Sequence, residues 1–163
     1  MIHNDWRFDN VILDPDNPTQ VIGVLDWEMA TLGDPLMDLG SALAYWVEET
    51  DNAIFKATRR QPTNLKGMFT RKEVVDYYLE KTGLQPENWT FYEVFGIFRL
   101  AVIAQQIYYR YYHKQTNNPA FKDFWVVIHA LHIRALKLIG KQKIEANDLA
   151  QKYMNKFKEL MPK

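Results

Sequence analysis

The first ten residues, MIHNDWRFDN, crowd His3, Asp5, Arg7 and Asn10 into one short stretch, and a further acid, Asp26, stands at the end of the apolar run VIGVLD. Asn10 and Asp26 flank VILDPDNPTQVIGVL, two β-branched runs separated by a cluster of Asp, Pro and Asn, which is the composition of a β-hairpin and its turn. If opposed residue numbers in that hairpin sum to about 36, Asn10 faces Asp26 across its open end. Two oxygen-bearing side chains on separate strands are what a Mg²⁺ site requires. Asp5 then lies in the loop entering the first strand, beside the cation without ligating it. The neighbouring Asp9, Asp14, Asp16 and Asn17 read as turn and cap residues.

The elements that must position these groups are mostly helical. Asp34-Pro35 reads as a helix N-cap followed by proline at the first helical position, with Leu36, Leu39 and Leu43 at helical spacing, predicting a helix over 35–49. Residues 51–68 are weakly periodic and read as a loop or a short broken helix. Thr70-Arg71-Lys72-Glu73 is a capping box opening a helix that Gly83 ends, and Thr90 with Glu93 repeats that pattern. A stripe of Phe91, Val94, Phe95, Phe98, Val102, Gln105, Tyr109 and Tyr112 predicts a long helix to about His113. Further helices are expected over about 119–139, with Phe121, Phe124, Ile128, Leu131, Ala135 and Leu138 on one side, and about 145–160, with Leu149, Tyr153, Met154 and Phe157. The aromatic and methionine positions, Trp6, Trp27, Tyr108 and Tyr109 among them, are expected in the core. The fold class is mainly α with one small β-hairpin.

Composition narrows the function classes. The 163 residues suit one domain, and 47% hydrophobic and 14% aromatic content suits a packed interior. Twenty basic and twenty acidic side chains cancel, so no overall charge favours nucleic acid or an anionic membrane. The absence of cysteine removes thiolate chemistry and disulfides and suits a cytoplasmic location. No membrane span is expected, because Arg99, His129 and His132 interrupt the longest apolar runs. His129 and His132 share a helix face without carboxylate company and read as structural. Glu73, Asp76 and Glu80, mixed with Arg71, Lys72 and Lys81, read as solvated surface.

His-x-Asp, an Asn five residues after the Asp, and a hairpin ending in Asp has the layout of the kinase catalytic loop and its metal-binding Asp. More closely, HNDWRFDNVILDPD followed by VIGVLDWEMATLGDPLMDLG resembles the aminoglycoside phosphotransferase family, whose pattern is His-Gly-Asp-x4-Asn, a strand ending Asp-Trp, then Gly-Asp-Pro-x2-Asp-Leu. The stretch FRLAVIAQQIYYRY is similar to a helix of the branch associated with acyl-CoA dehydrogenases. The resemblance implies the C-terminal lobe of a protein-kinase-like fold, with residues 1–34 as catalytic loop, hairpin and metal-binding Asp and residues 35–163 as its helical part. It implies Asp5 as the catalytic Asp that takes or orients the acceptor's proton, Arg7 as a charge-stabilising partner of the transferred phosphate, and Asn10 and Asp26 as Mg²⁺ ligands that hold the ATP phosphates. His3 and Asp38 would brace the loop, while Asp34 caps a helix. Asn4 departs from the family's glycine, a substitution that Asn's tolerance of unusual backbone angles suits.

The same resemblance sets the expected partners: Mg²⁺, ATP as co-substrate and a small-molecule hydroxyl acceptor. These residues hold no Gly-rich loop, strand Lys or partner Glu, so the amino-terminal, ATP-binding lobe is expected to be absent from the chain and the phosphotransferase incomplete. The alternative is a non-catalytic helical interaction module or remnant, in which an apolar face left by that lobe favours self-association or a separate N-lobe.

Overall fold

A computed structural model describes residues 1–140 of the chain; the helix expected over 145–160 lies outside the described residues. An antiparallel hairpin of β1 (Val11–Leu13) and β2 (Val21–Val24) is followed by helices α1 (Pro35–Ala44), α2 (Ala53–Thr58), α3 (Arg71–Thr82), α4 (Trp89–Tyr112) and α5 (Phe124–Leu138), with 3₁₀ turns at Phe8–Asn10, Trp27–Met29 and Pro119–Phe121. The fold class is thus mainly helical with a single two-stranded hairpin.

α4 is the spine. One side packs on α1 and another on α5, which in turn meets α2. The core between them holds Ala44, Val47, Phe55, Ile97, Ala130 and Leu131, extended by Leu100, Ala101, Val127 and Leu138. α1 and α4 approach so closely at Gly40 and Gly96 that a Cβ on Gly96 would collide with the Gly40 carbonyl, and one on Gly40 with the Tyr92 carbonyl. Tyr92 Oη also donates to Asp34 Oδ2 at 3.0 Å, tying α4 to the carboxylate that caps α1 through the Leu36 N–H at 2.8 Å.

Local signals place several boundaries. Thr70 and Glu73 form the capping box of α3, and Gly83 ends it in the left-handed region at φ +70°. Three expectations need correction. α1 stops at Ala44 rather than near 49, because tertiary bonds replace helical ones there. Thr63 Oγ1 accepts from Val47 N–H and donates to Val47 O, both at 2.9 Å, and Arg71 takes the Trp46 carbonyl at 2.8 Å. Thr90 caps nothing, since α4 already begins at Trp89 after Asn88, with Trp89 stacked on Tyr92.

The third correction concerns the inward face of α4. Phe91 and Phe98 are 58% and 62% exposed, and Val102, Gln105, Tyr109 and Tyr112 are exposed too, whereas Gly96, Ile97 and Ala104 are buried. Periodicity shows which residues share a face; the close backbone crossing with α1 selects the face carrying the small residues. Trp6, Trp27 and Tyr109 are likewise exposed rather than core.

Arg71 locks α3 to the end of α1. Its guanidinium bonds Asp51 at 2.7 and 3.0 Å and Glu48 at 3.0 Å, all three side chains being at most 17% exposed. Burial pushes the Asp51 carboxyl up, but the bonds from Arg71 and the Glu48 N–H outweigh it and hold Asp51 below its ordinary value. A depressed folded pKa gives stability that is present above the unfolded value and lost as pH falls through the folded one. Arg71→Met is therefore expected to cost about 2–3 kcal/mol at neutral pH, by leaving two partly buried carboxylates unpaired. It should also remove Asp51's share of the loss of stability in acid. Urea unfolding at pH 7 and below pH 4 checks both; an unchanged acid profile would show that Arg71 does not set the Asp51 pKa.

Candidate active site

The hairpin register differs from the expected one. Val11 pairs with Val24 and Ile12 with Gly23, then a bulge shifts Leu13 onto Val21, so opposed numbers sum to 35 beside the site. The carbonyl of Asn10 accepts from the Leu25 N–H at 2.8 Å, and Asp26 stands one residue beyond that closing bond rather than directly opposite Asn10. Next to the turn Leu13 pairs with Val21, and the bulge between Ile12 and Leu13 moves the register by one toward the expected pairing, leaving it one short at the open end.

Asp5 and Asn10 are joined directly. Asn10, buried, donates from Nδ2 to the Asp5 carbonyl at 2.8 Å and to Asp5 Oδ2 at 3.4 Å. That orients the amide with its nitrogen toward Asp5 and its oxygen away. Asp26 has φ +64° and ψ +49°, a left-handed conformation that costs a non-glycine residue free energy. Its exposed carboxylate caps no helix and has no hydrogen-bond partner among the described residues.

The loop that carries Asp5 is held from several sides. Asp38, on the first turn of α1, accepts from the His3 N–H at 2.7 Å with one carboxylate oxygen and from the Asn4 N–H at 2.9 Å with the other. Asn4 itself has φ +66°, and its side chain donates to the Met29 carbonyl at 2.9 Å, so the position that is glycine in the family pattern carries an Asn in the left-handed region. His3 is buried against Trp27 and Trp6. Its Nε2 is 2.7 Å from the Leu25 carbonyl, which can only accept, so Nε2 carries the proton and Nδ1 accepts from the Asp5 N–H at 3.2 Å. One imidazole thus ties the Asp5 loop to the end of β2. An Ile2–Thr31 bridge closes the same unit.

Arg7 reaches between two acids. Its terminal nitrogen bonds Asp9 at 2.7 Å, its Nε lies 4.0 Å from Asp5 Oδ2, and its guanidinium sits over the Tyr45 ring at 5.8 Å. Among the described residues no group of three or more His, Asp or Glu side chains is arranged to hold a metal ion. Asn10 and Asp26 would offer one amide and one carboxylate oxygen, hard donors whose chemistry suits a cation such as Mg²⁺.

Gln61 and Thr63 escape sequence reasoning. Both are buried; the Gln61 side-chain carbonyl accepts from the Phe8 N–H at 2.9 Å and anchors the turn between Asp5 and Asn10. The surrounding RRQPTN has turn composition and no periodicity, so no local signal marks a polar side chain there as interior.

Residues 1–73 match the profile of the phosphotransferase enzyme family. That stretch carries the sequence pattern of this family. Over 112 residues the chain is 39% identical to mouse acyl-CoA dehydrogenase family member 10, and over 114 residues 35% identical to rat acyl-CoA dehydrogenase family member 11; each alignment covers 68% of this chain. An aminoglycoside phosphotransferase-like protein of Ralstonia eutropha, known from its crystal structure, superposes with a TM-score of 0.69 at 27% identity over 86% of this chain. The chain spans 10% and 14% of the length of those two relatives and 42% of the crystallised protein. The phosphotransferase-family match ends within α3, and the superposition carries the likeness to a kinase-like fold into the helical part.

Proposed function

We propose that this phosphotransferase-family lobe transfers the γ-phosphate of ATP to the hydroxyl of a small molecule, in the cytoplasm. The observation that carries the reading is the coupling of Asp5 to Asn10 by two hydrogen bonds, with Asp26 beside the bond that closes the hairpin. Asp5 accepts the proton as the acceptor oxygen bonds to the γ-phosphorus; the bond from that phosphorus to the β–γ bridging oxygen breaks, and ADP leaves. Asn10 and Asp26 would hold Mg²⁺, which when bound neutralises charge on the phosphates. Arg7, steadied by Asp9 and Tyr45, places a fixed positive charge next to Asp5. His3 and Asp38 keep the loop from shifting, which matters because most of the rate in such chemistry comes from positioning.

Manganese, a paramagnetic substitute for magnesium, tests the pair without a nucleotide. In the amide NMR spectrum of the chain, Mn²⁺ is expected to broaden residues 10 and 25–27 first, and Asp26→Ala should abolish that preference. Broadening centred on the acidic surface of α3, and indifferent to Asp26, would refute the metal assignment.

One observation favours a second reading, the interaction module. Ile12, Leu13, Val21, Ile22 and Leu25 of the hairpin region are each 41–53% exposed, an apolar surface suited to a separate lobe or another copy. Sedimentation equilibrium tests it: a monomer at all concentrations argues against self-association.

A further inference from the structure

Beside the catalytic loop a cleft of about 690 Å³ opens between α1, α2, α4 and α5. Arg7, Asp9 and Tyr45 stand among its walls. Its floor is hydrocarbon, with Leu100, Ala104, Ile107, Val127 and Leu131, and Arg59 and Arg60 lie exposed along the α2 side. Tyr45 joins this cleft to the site: its ring lies under the Arg7 guanidinium, and its hydroxyl has no hydrogen-bond partner among the described residues. We propose that Tyr45 is a positioning and specificity residue of this phosphotransferase, its ring fixing Arg7 and its phenol meeting the acceptor hydroxyl at the head of a cleft that takes a hydrocarbon-bodied alcohol.

This rests on the phosphoryl-transfer reading and adds the acceptor class to it. An aliphatic body matches the apolar lining of Leu100, Ala104, Ile107, Val127 and Leu131, since apolar surface gains from leaving water. A polycationic acceptor is disfavoured by the wall charges: among the described residues of the lining, Arg7, Arg59 and Arg60 stand against Asp9 and Asp123, and Asp9 is already paired with Arg7. Burial, and then the Asp5 carboxylate, push the Tyr45 phenol above its ordinary value, against the smaller opposing effects of Arg99 and Arg7, so at neutral pH it is a hydrogen-bond donor. A donor is what complements an acceptor oxygen whose own proton is directed to Asp5.

NMR titration of the chain with three probes tests the inference: 1-hexanol, 1-fluorohexane of the same shape without the hydroxyl, and the aminoglycoside kanamycin. Hexanol is expected to shift Ala44, Ala104 and Ala120, which line the cleft, and kanamycin is not. Tyr45→Phe, which keeps the ring, should weaken hexanol roughly three- to tenfold and leave fluorohexane unchanged. Tyr45→Leu should in addition displace the Arg7 side-chain resonance, which loses its ring-current shift. Tighter binding of kanamycin than hexanol in the cleft, or equal hexanol affinity in wild type and Tyr45→Phe, overturns the proposal. Because the manganese experiment reads the open end of the hairpin and not the cleft, failure of the cleft assignment is distinguishable from failure of the phosphoryl-transfer reading.

Discussion

Asp5→Asn is expected to lower phosphate transfer from γ-labelled ATP to hydroxyl acceptors by roughly 10²–10⁴-fold, the usual contribution of a positioned general base. The assay compares the chain alone with the chain plus an amino-terminal lobe of a family member supplied as a separate polypeptide, since a kinase-like site closes on its nucleotide from two sides. The substitution is nearly isosteric, and the stronger Asn10 bond goes to the main-chain oxygen of residue 5 at 2.8 Å, so the loop should keep its shape. Manganese broadening at residues 10 and 26 should therefore survive in the variant. That combination, a lost rate with a retained metal signature, separates removal of a base from collapse of the site. Asp16→Asn, in the hairpin turn, serves as the control and should leave the rate within about twofold, as for a surface substitution. Transfer that is undiminished by Asp5→Asn would show that the proton goes elsewhere.

The second large effect is on stability and comes from a single methyl group. Gly96→Ala is expected to destabilise the protein by about 3–5 kcal/mol, at the upper end for overpacking. A Cβ there meets the carbonyl and amide backbone of Gly40 and Ser41, not the movable end of a side chain. The two helices would have to separate along the crossing that seats α1, and α1 carries Asp38, which bonds the His3 and Asn4 amides. A fall in melting temperature of roughly 10 °C follows from that cost for a domain of this size. Gly83→Ala makes the useful comparison, because a Cβ at Gly83 meets nothing; its cost comes only from the left-handed backbone and should be near 1 kcal/mol. If Gly96→Ala costs no more than Gly83→Ala, α1 and α4 are not held backbone to backbone.

The two glycines illustrate where sequence reasoning stops. Gly83 is legible because a glycine after a capped, periodic stretch has a local meaning: it relieves a left-handed C-terminus. Gly96 sits mid-helix in VFGIFRL with no local signature, and its role exists only because another helix crosses there. The same distinction explains the misplaced stripe on α4. Phe91 and Phe98 recur at helical spacing and outrank glycine and alanine in hydrophobicity, yet close approach of two backbones favours the side with the least bulk.

What the sequence by itself determined is local and ordered along the chain. The spacing of His3, Asp5, Asn10 and Asp26, the Asp34 cap, the capping box of α3 and the mainly helical class all follow from neighbours a few residues apart, where backbone geometry and side-chain chemistry act directly. Tertiary structure alone decided the bulge that sets the hairpin register, the early end of α1, the burial of Gln61 and Thr63, and the Arg71 lock on Glu48 and Asp51. Those features join residues separated by up to 53 positions, so their energies depend on which surfaces meet and not on any pattern within one segment.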